Sequence, residues 1–104
     1  MSDNEKRREN RIPADLWIEV ERKGELYFQR ASNLSVGGAY FTQTIPLPVG
    51  TSVSLKFTLP GATIETVCSG EIVNAKELGM GVRFVSLPEV ARAHIEMLIS
   101  KASA

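Results

Sequence analysis

The chain of 104 residues is long enough for one domain with a single hydrophobic core. Its 12 basic residues balance its 12 acidic ones, so the overall charge favours binding to neither nucleic acid nor a membrane surface. The one cysteine, Cys68, excludes a disulfide within the chain and predicts a buried thiol in a reducing compartment.

The N-terminal segment predicts a flexible basic arm over residues 1–12. Its first eleven residues contain seven charged side chains and, after the initiating Met, no apolar residue to bury. Pro13 fixes its own φ and favours an extended Ile12, so the folded domain is predicted to span residues 13–104. Four basic residues of the arm lie close together and suit an anionic ligand: Lys6, Arg7, Arg8 and Arg11.

Alternation of apolar and polar residues with period two predicts the first three strands. The first strand runs from Ala14, where Leu16, Ile18 and Val20 share one face. A turn over residues 22–25 leads into a second strand, which forms a hairpin with the first and ends at Asn33. Ala39-Tyr40-Phe41-Thr42 predicts a short third strand.

Proline and glycine divide the following residues into three more strands. After a loop rich in proline, residues 53–59 alternate between apolar and polar without interruption. Residues 64–75 predict a longer strand, and residues 81–85 predict the sixth. Six strands with short connections favour a small closed antiparallel barrel, although the periodicity alone also fits a two-sheet sandwich.

A helix is predicted at the C-terminus. Ser86 and Glu89 have the spacing of a capping box, and Pro88 suits the first turn because its missing N–H needs no partner there. The apolar face of this helix is expected to cover an open end of the barrel. Its residues are Ala91, Ile95, Leu98 and Ala102.

The segment from Asn33 to Gly38, Asn-Leu-Ser-Val-Gly-Gly, lies between the second and third predicted strands. Gly37 and Gly38 permit a positive φ and the close approach of a ligand to the backbone. Asn33 and Ser35 each carry a side chain that can donate and accept hydrogen bonds. The same residues also fit a turn in which Asn and Ser bond to their own backbone.

Arg7 and Arg11 form an RxxxR pair, and the Asn33 to Gly38 segment follows about twenty residues later as (D/N)xSxxG. In this order, and followed by these strands and a terminal helix, the two motifs resemble the PilZ domain, a bacterial receptor module for cyclic di-GMP. The resemblance covers nearly the whole chain. It implies a mainly β fold: a six-stranded antiparallel PilZ-type barrel with a C-terminal α-helix and a flexible N-terminal arm.

The resemblance also implies a binding site for cyclic di-GMP, which has two phosphates and two guanines. Arg7 and Arg11 would contact phosphate and guanine, because a guanidinium pairs bidentately with either. Asn33 would meet a base edge, Ser35 would add a hydroxyl contact, and Gly38 would keep the wall free of a side chain. Three further residues would add attraction or shape the turn: Arg8, Lys6 and Gly37.

The resemblance implies a receptor that changes conformation when it binds the second messenger and signals through an unidentified protein partner. The alternative is a PilZ-like interaction module that binds no nucleotide. Catalysis is not expected, because the sequence lacks a nucleophile with a plausible base, metal-ligand spacing and a phosphate-binding glycine loop. No cofactor other than the ligand itself is implied, and one or two ligand molecules per chain remain open.

No apolar run approaches the roughly 18 residues that a membrane span needs, and the polar N-terminus is unlike a signal peptide. We therefore expect a stand-alone cytoplasmic domain without a membrane segment. A basic arm on an otherwise neutral domain does not favour nucleic-acid binding.

Overall fold

A computed structural model describes residues 11–103, which form six strands and one C-terminal helix. The predicted residues Lys6, Arg7 and Arg8 lie outside the described residues, and so does the rest of the arm up to residue 10. The elements are β1 (Ile12–Arg22), β2 (Glu25–Leu34), β3 (Gly38–Thr42), β4 (Ser52–Phe57), β5 (Thr66–Lys76), β6 (Gly79–Phe84) and α1 (Glu89–Ser103).

The six strands form a closed antiparallel barrel in the order β1-β2-β3-β6-β5-β4. The barrel closes where β1 pairs with β4, with Val20 opposite Leu55. Closure pairs both edges of the sheet and so removes the exposed strand edges on which other chains could add. The predicted mainly β barrel with a C-terminal helix is therefore confirmed, and the sandwich is excluded.

The core follows from the period-two pattern of the strands. In β4, Val53, Leu55 and Phe57 are buried, whereas the residues between them are exposed. Phe57 stacks on Phe84 of β6 with a distance of 5.8 Å between ring centroids. Burying each large apolar side chain contributes about 1.5–3 kcal/mol, so this interior accounts for most of the driving force for folding.

The structure corrects the predicted start of β1. The strand begins at Ile12 and not at Ala14, because Ile12 pairs with Leu34 and Pro13 pairs with Asn33. The register then shifts between Pro13 and Leu16. A proline is tolerated at such a bulge because the hydrogen-bond ladder is interrupted there. Because β1 begins at Ile12, the first described residue, Arg11, lies beside the end of β2.

Other element boundaries also differ from the prediction. β5 begins at Thr66 and not at residue 64, and β6 begins at Gly79 because the preceding turn is only two residues long. Helix α1 begins at Glu89. The N–H of Arg92 donates to the carbonyl of Pro88 at 3.0 Å, so Pro88, and not Ser86, occupies the N-cap position.

Helix α1 lies at the end of the barrel where β2 ends and β3 begins. Ala91 and Ile95 of the helix are buried in the core cluster that also contains Leu16 and Leu59 from this end. The ring of His94 forms a hydrogen bond of 2.7 Å with the Pro60 carbonyl, which accepts it from Nε2–H. The segment from β2 to β3 and the helix therefore share one end of the molecule.

The helix has 15 residues, and no helix in the described part of the chain is both long and apolar enough to cross a membrane.

The burial of Cys68 in β5 predicts low thiol reactivity. Burial raises the pKa of this thiol to about 11, from an ordinary value of 9.0. Because the thiolate is the reacting species, alkylation at pH 8 should be about a hundredfold slower than for an exposed thiol. Iodoacetamide labelling followed by mass spectrometry measures this rate. The urea-unfolded chain is the control, and equal rates in the folded and unfolded chain would contradict the predicted protection.

Candidate functional site

The structure brings together one residue from each predicted motif, Arg11 and Asn33. Nη1 of Arg11 donates a hydrogen bond to Oδ1 of Asn33 at 2.8 Å, although the two residues are 22 positions apart. The strand register explains the contact, because Asn33 pairs with Pro13 and a residue two positions before Pro13 lies on the same face. Arg7, the other arginine of the first motif, lies outside the described residues.

Asn33 lies on the outer face of the barrel. It pairs with Tyr40 of β3, whereas the neighbouring pair, Leu34 and Ala39, is buried in the core. Successive side chains of a strand point to opposite faces, so Asn33 and Tyr40 point outward together. The amide of Asn33 and the ring of Tyr40 therefore form one continuous part of the outer surface beside Arg11.

Ser35 builds the turn between β2 and β3. Its side chain is completely buried, and Oγ accepts hydrogen bonds from the N–H groups of Gly37 and Gly38, each at 3.2 Å. The backbone N–H of Ser35 donates to the carbonyl of Gly38 at 2.8 Å, and the hydroxyl also donates to it at 3.3 Å. The hydroxyl thus satisfies backbone groups that would otherwise be buried without partners. A direct contact between Ser35 and a ligand stays a prediction.

Gly38 is required by the close approach of two strands. It pairs with Arg83 of β6, and a Cβ at this position would overlap the carbonyl oxygen of Val82. Its φ does not lie in the left-handed region, so the lack of space for a side chain, and not a positive φ, requires glycine here. The next residue back, Gly37, accepts a hydrogen bond of 2.8 Å from the N–H of Phe84. Both glycines therefore fasten the turn to β6, and their contacts with a ligand stay predictions.

Sequence reasoning missed two residues that the register places beside the motif, Tyr40 and Arg83. Alternation within each strand indicates that both point outward, but it does not reveal that β3 pairs with β6. That pairing joins strands that are not consecutive in the sequence. Gly38 and Gly81 were the available signal for the pairing of β3 with β6, because a glycine in a strand often marks the close approach of another backbone.

Arg11 and Arg30 are both exposed arginines, but the groups that they contact differ in charge. Nε of Arg30 lies 2.7 Å from Oδ1 of Asp15, and the hydrogen bond from Arg30 lowers the pKa of that carboxyl group. Asp15 is therefore ionised at neutral pH and balances Arg30. Arg11 contacts the neutral amide of Asn33, so this contact leaves its positive charge available to an anion.

The described part of the chain offers no metal site, and one of its cavities lies away from this surface. Residues 11–103 contain no group of three or more His, Cys, Asp or Glu side chains that could hold a metal ion. A cavity of about 530 Å³, lined by side chains that include Tyr27, Leu47 and Met80, lies at the opposite end of the barrel. The joined motifs and the β2–β3 turn therefore form the candidate site.

Comparison with known proteins identifies the fold. A family model described as PilZ domain matches residues 5–101. The chain is similar to the structure of the Bacillus subtilis inhibitor of motility MotI/DgrA, with 14% identity and a TM-score of 0.77 over 89% of this chain and 49% of that one. It thus spans about half the length of that protein.

Two further solved structures have the same fold. The PilZ domain of CeSA from a cellulose-synthesizing bacterium is 22% identical, with a TM-score of 0.67 over 91% of this chain and 99% of that one. An uncharacterized Legionella protein is 13% identical, with a TM-score of 0.53 over 89% of this chain and 92% of that one. At these identities the similarity shows the fold alone. No curated protein matches the sequence.

The contact between β3 and β6 predicts a large loss of stability in Gly38→Ala. The new methyl group would overlap the backbone of β6, and overpacking of this kind costs about 1–3 kcal/mol. Ser54→Ala is the control, since Ser54 is an exposed strand residue whose φ is not positive. Urea denaturation measures both free energies of unfolding. A Gly38→Ala protein as stable as Ser54→Ala would contradict the predicted overlap.

Proposed function

The chain belongs to the PilZ domain family, whose members are generally cyclic di-GMP receptors, and on this premise we propose that it binds cyclic di-GMP at Arg11 and Asn33. The observation that carries the proposal is the hydrogen bond between these two side chains. It joins the RxxxR motif to the (D/N)xSxxG motif on one outward-facing surface of the barrel. The strand register brings the two motifs together, and the pair it forms faces outward, where a ligand can reach it.

The chemistry of the two side chains suits the ligand. A guanidinium carries five N–H donors, and the contact with Asn33 engages one of its nitrogens, so Arg11 can also pair with a phosphate or with O6 and N7 of a guanine. The amide of Asn33 can accept from one guanine N–H and donate to another base atom. Binding would then replace or share the present hydrogen bond between them.

The basic arm contributes to the proposed site from outside the described residues. Arg7 would supply the second guanidinium, and Arg8 and Lys6 would add positive charge close to the ligand. Ser35, Gly37 and Gly38 would act mainly by holding the turn that positions Asn33. The conformational change on binding would follow from the contact of these basic side chains with the bound nucleotide.

The signal would pass to a protein partner in the bacterial cytoplasm. PilZ domains are binding and adaptor domains and not catalytic ones, so the nucleotide would be released unchanged. The candidate site and helix α1 share one end of the barrel, so a bound nucleotide and the helix would offer a partner one common surface.

One observation favours the alternative, an interaction module that binds no nucleotide. The hydrogen bonds of Ser35 and the strand contact at Gly38 explain these two motif residues by folding alone. Retention of Ser35 and Gly38 is therefore weaker support for nucleotide binding than the exposed pair Arg11 and Asn33, which forms no part of the core.

The proposal predicts saturable binding of cyclic di-GMP that depends on Arg11 and Asn33. Arg11→Ala and Asn33→Ala should each weaken binding at least about tenfold, because each removes a hydrogen bond to a charged or densely polar ligand. Asn33→Asp should keep binding, since a carboxylate accepts from two guanine N–H groups at once. Isothermal titration calorimetry measures the affinity and the number of ligands per chain.

Arg30→Ala is the control, because Arg30 is an exposed arginine that pairs with Trp17 in the middle of the β1–β2 hairpin, farther from the β2–β3 turn. It should bind within about threefold of the unchanged protein. Lack of binding by the folded, unchanged protein at millimolar ligand would reject the receptor function and favour the alternative.

A further inference from the structure

A polar cleft adjoins the motif turn on the side of helix α1. Its volume is about 460 Å³, and it lies between the β2–β3 turn, the end of β6 and the first turns of the helix. The side chains and backbone that matter for its chemistry belong to Gly37, Arg83, Ser86, Glu89 and Arg92. We refer to it as the Gly37–Arg92 cleft.

The strand register places Arg83 next to the motif. Arg83 pairs with Gly38, which has no side chain, on its β3 side and with Glu71 on its β5 side, so the guanidinium is not covered from the side of the motif. The hydrogen bond from the N–H of Phe84 to the Gly37 carbonyl holds the turn against the same part of β6. Arg11 therefore lies on the β1 side of the motif, and Arg83 lies on its β6 side.

Two arginines from different elements line this cleft, and each already contacts a carboxylate. Arg83 donates to the carboxylate of Glu71, and Nε of Arg92 lies 4.0 Å from Oε2 of Glu96. The two arginine side chains are 54% and 47% exposed, so water weakens both ion pairs. A guanidinium has five N–H donors, and each arginine can therefore bind an anion while keeping its present neighbour.

One acidic side chain, Glu89, also lines the cleft and opposes the binding of an anion. Within the lining, two guanidinium groups face this one carboxylate, and Glu71 and Glu96 contact the arginines from outside it, so a bound anion competes with these carboxylates. Ser86 adds a hydroxyl at its rim. Two guanidinium groups, a hydroxyl group and the accessible backbone of a glycine are groups that can together bind a phosphate.

We propose that Arg83 and Arg92 bind a phosphate of cyclic di-GMP in the Gly37–Arg92 cleft. The inference rests on the proposed function and extends its site from Arg11 and Asn33, across the motif turn, to helix α1. A ligand held in this way contacts both the barrel and the helix. Binding then fixes the position of α1 against the β2–β3 turn and offers a route from the nucleotide to a partner-binding surface.

Calorimetric titration of cyclic di-GMP into variants of the full chain tests this subsite. Arg83→Ala and Arg92→Ala should each weaken binding about tenfold or more, or remove one of two bound ligands, because a charge-assisted contact is lost. Arg22→Ala is the matched control, since Arg22 ends β1 at the opposite end of the barrel, and it should bind within about threefold of the unchanged protein. Glu89→Gln should strengthen binding, because it removes the opposing carboxylate.

Lysine substitutions separate a direct contact from general attraction. Arg83→Lys and Arg92→Lys keep the charge but lose the planar fork, so both should bind several-fold more weakly than the unchanged protein. Thermal unfolding checks that each variant is folded, and Arg→Gln replaces any alanine variant that is not.

The outcomes distinguish the subsite from the receptor function itself. Binding by the unchanged protein, together with unaltered affinity and stoichiometry in both alanine variants, would overturn the subsite and leave the receptor function intact. Lysine variants that bind as tightly as the unchanged protein would overturn direct phosphate contact. Absence of binding by the folded, unchanged protein would overturn both proposals.

Discussion

The close approach of β3 to β6 at Gly38 is the constraint on which the candidate site depends. No side chain fits there, because a Cβ would overlap the Val82 carbonyl. The contact fixes where β3 begins, and the Ser35 hydroxyl then closes the preceding turn by accepting from two backbone N–H groups. A turn held in this way ends β2 at a defined residue and leaves the Asn33 amide on the outer surface, within reach of Arg11.

The motif residues therefore divide into two groups with different physical roles. Ser35 and Gly38 are buried and stabilise the barrel, so substitutions there act on binding through the fold. Arg11 is exposed and Asn33 is partly buried, and both can exchange their present hydrogen bond for one with a ligand. Substitution of the outward-facing pair alone would therefore remove groups that can contact a ligand while leaving the turn and the barrel intact. This division explains how one fold can serve both as a receptor and as an interaction module.

The strands and the helix could be predicted from the sequence because their burial alternates regularly, as in β4, where Val53, Leu55 and Phe57 are buried in turn. The start of β1 could not be predicted. A proline at a bulge looks like the boundary of a strand until its pairing with Asn33 is known. Arg83 was missed for a related reason. Its place beside Gly38 depends on a pairing between β3 and β6, and local periodicity carries no information on which distant strands are neighbours. The RxxxR and (D/N)xSxxG motifs indicated the candidate site, but the buried position of the Ser35 hydroxyl required the structure.

We propose that the nucleotide binds at the end of the barrel where Arg11 and Asn33 meet. Two-dimensional ¹H–¹⁵N NMR during titration with cyclic di-GMP locates the bound nucleotide, because each backbone amide reports its own surroundings. We expect the largest chemical-shift changes at the amides of residues 33–40 and at the end of β6, with little change near Met80 at the opposite end. Changes confined to the cavity near Met80, or no changes at saturating ligand, would contradict this proposal.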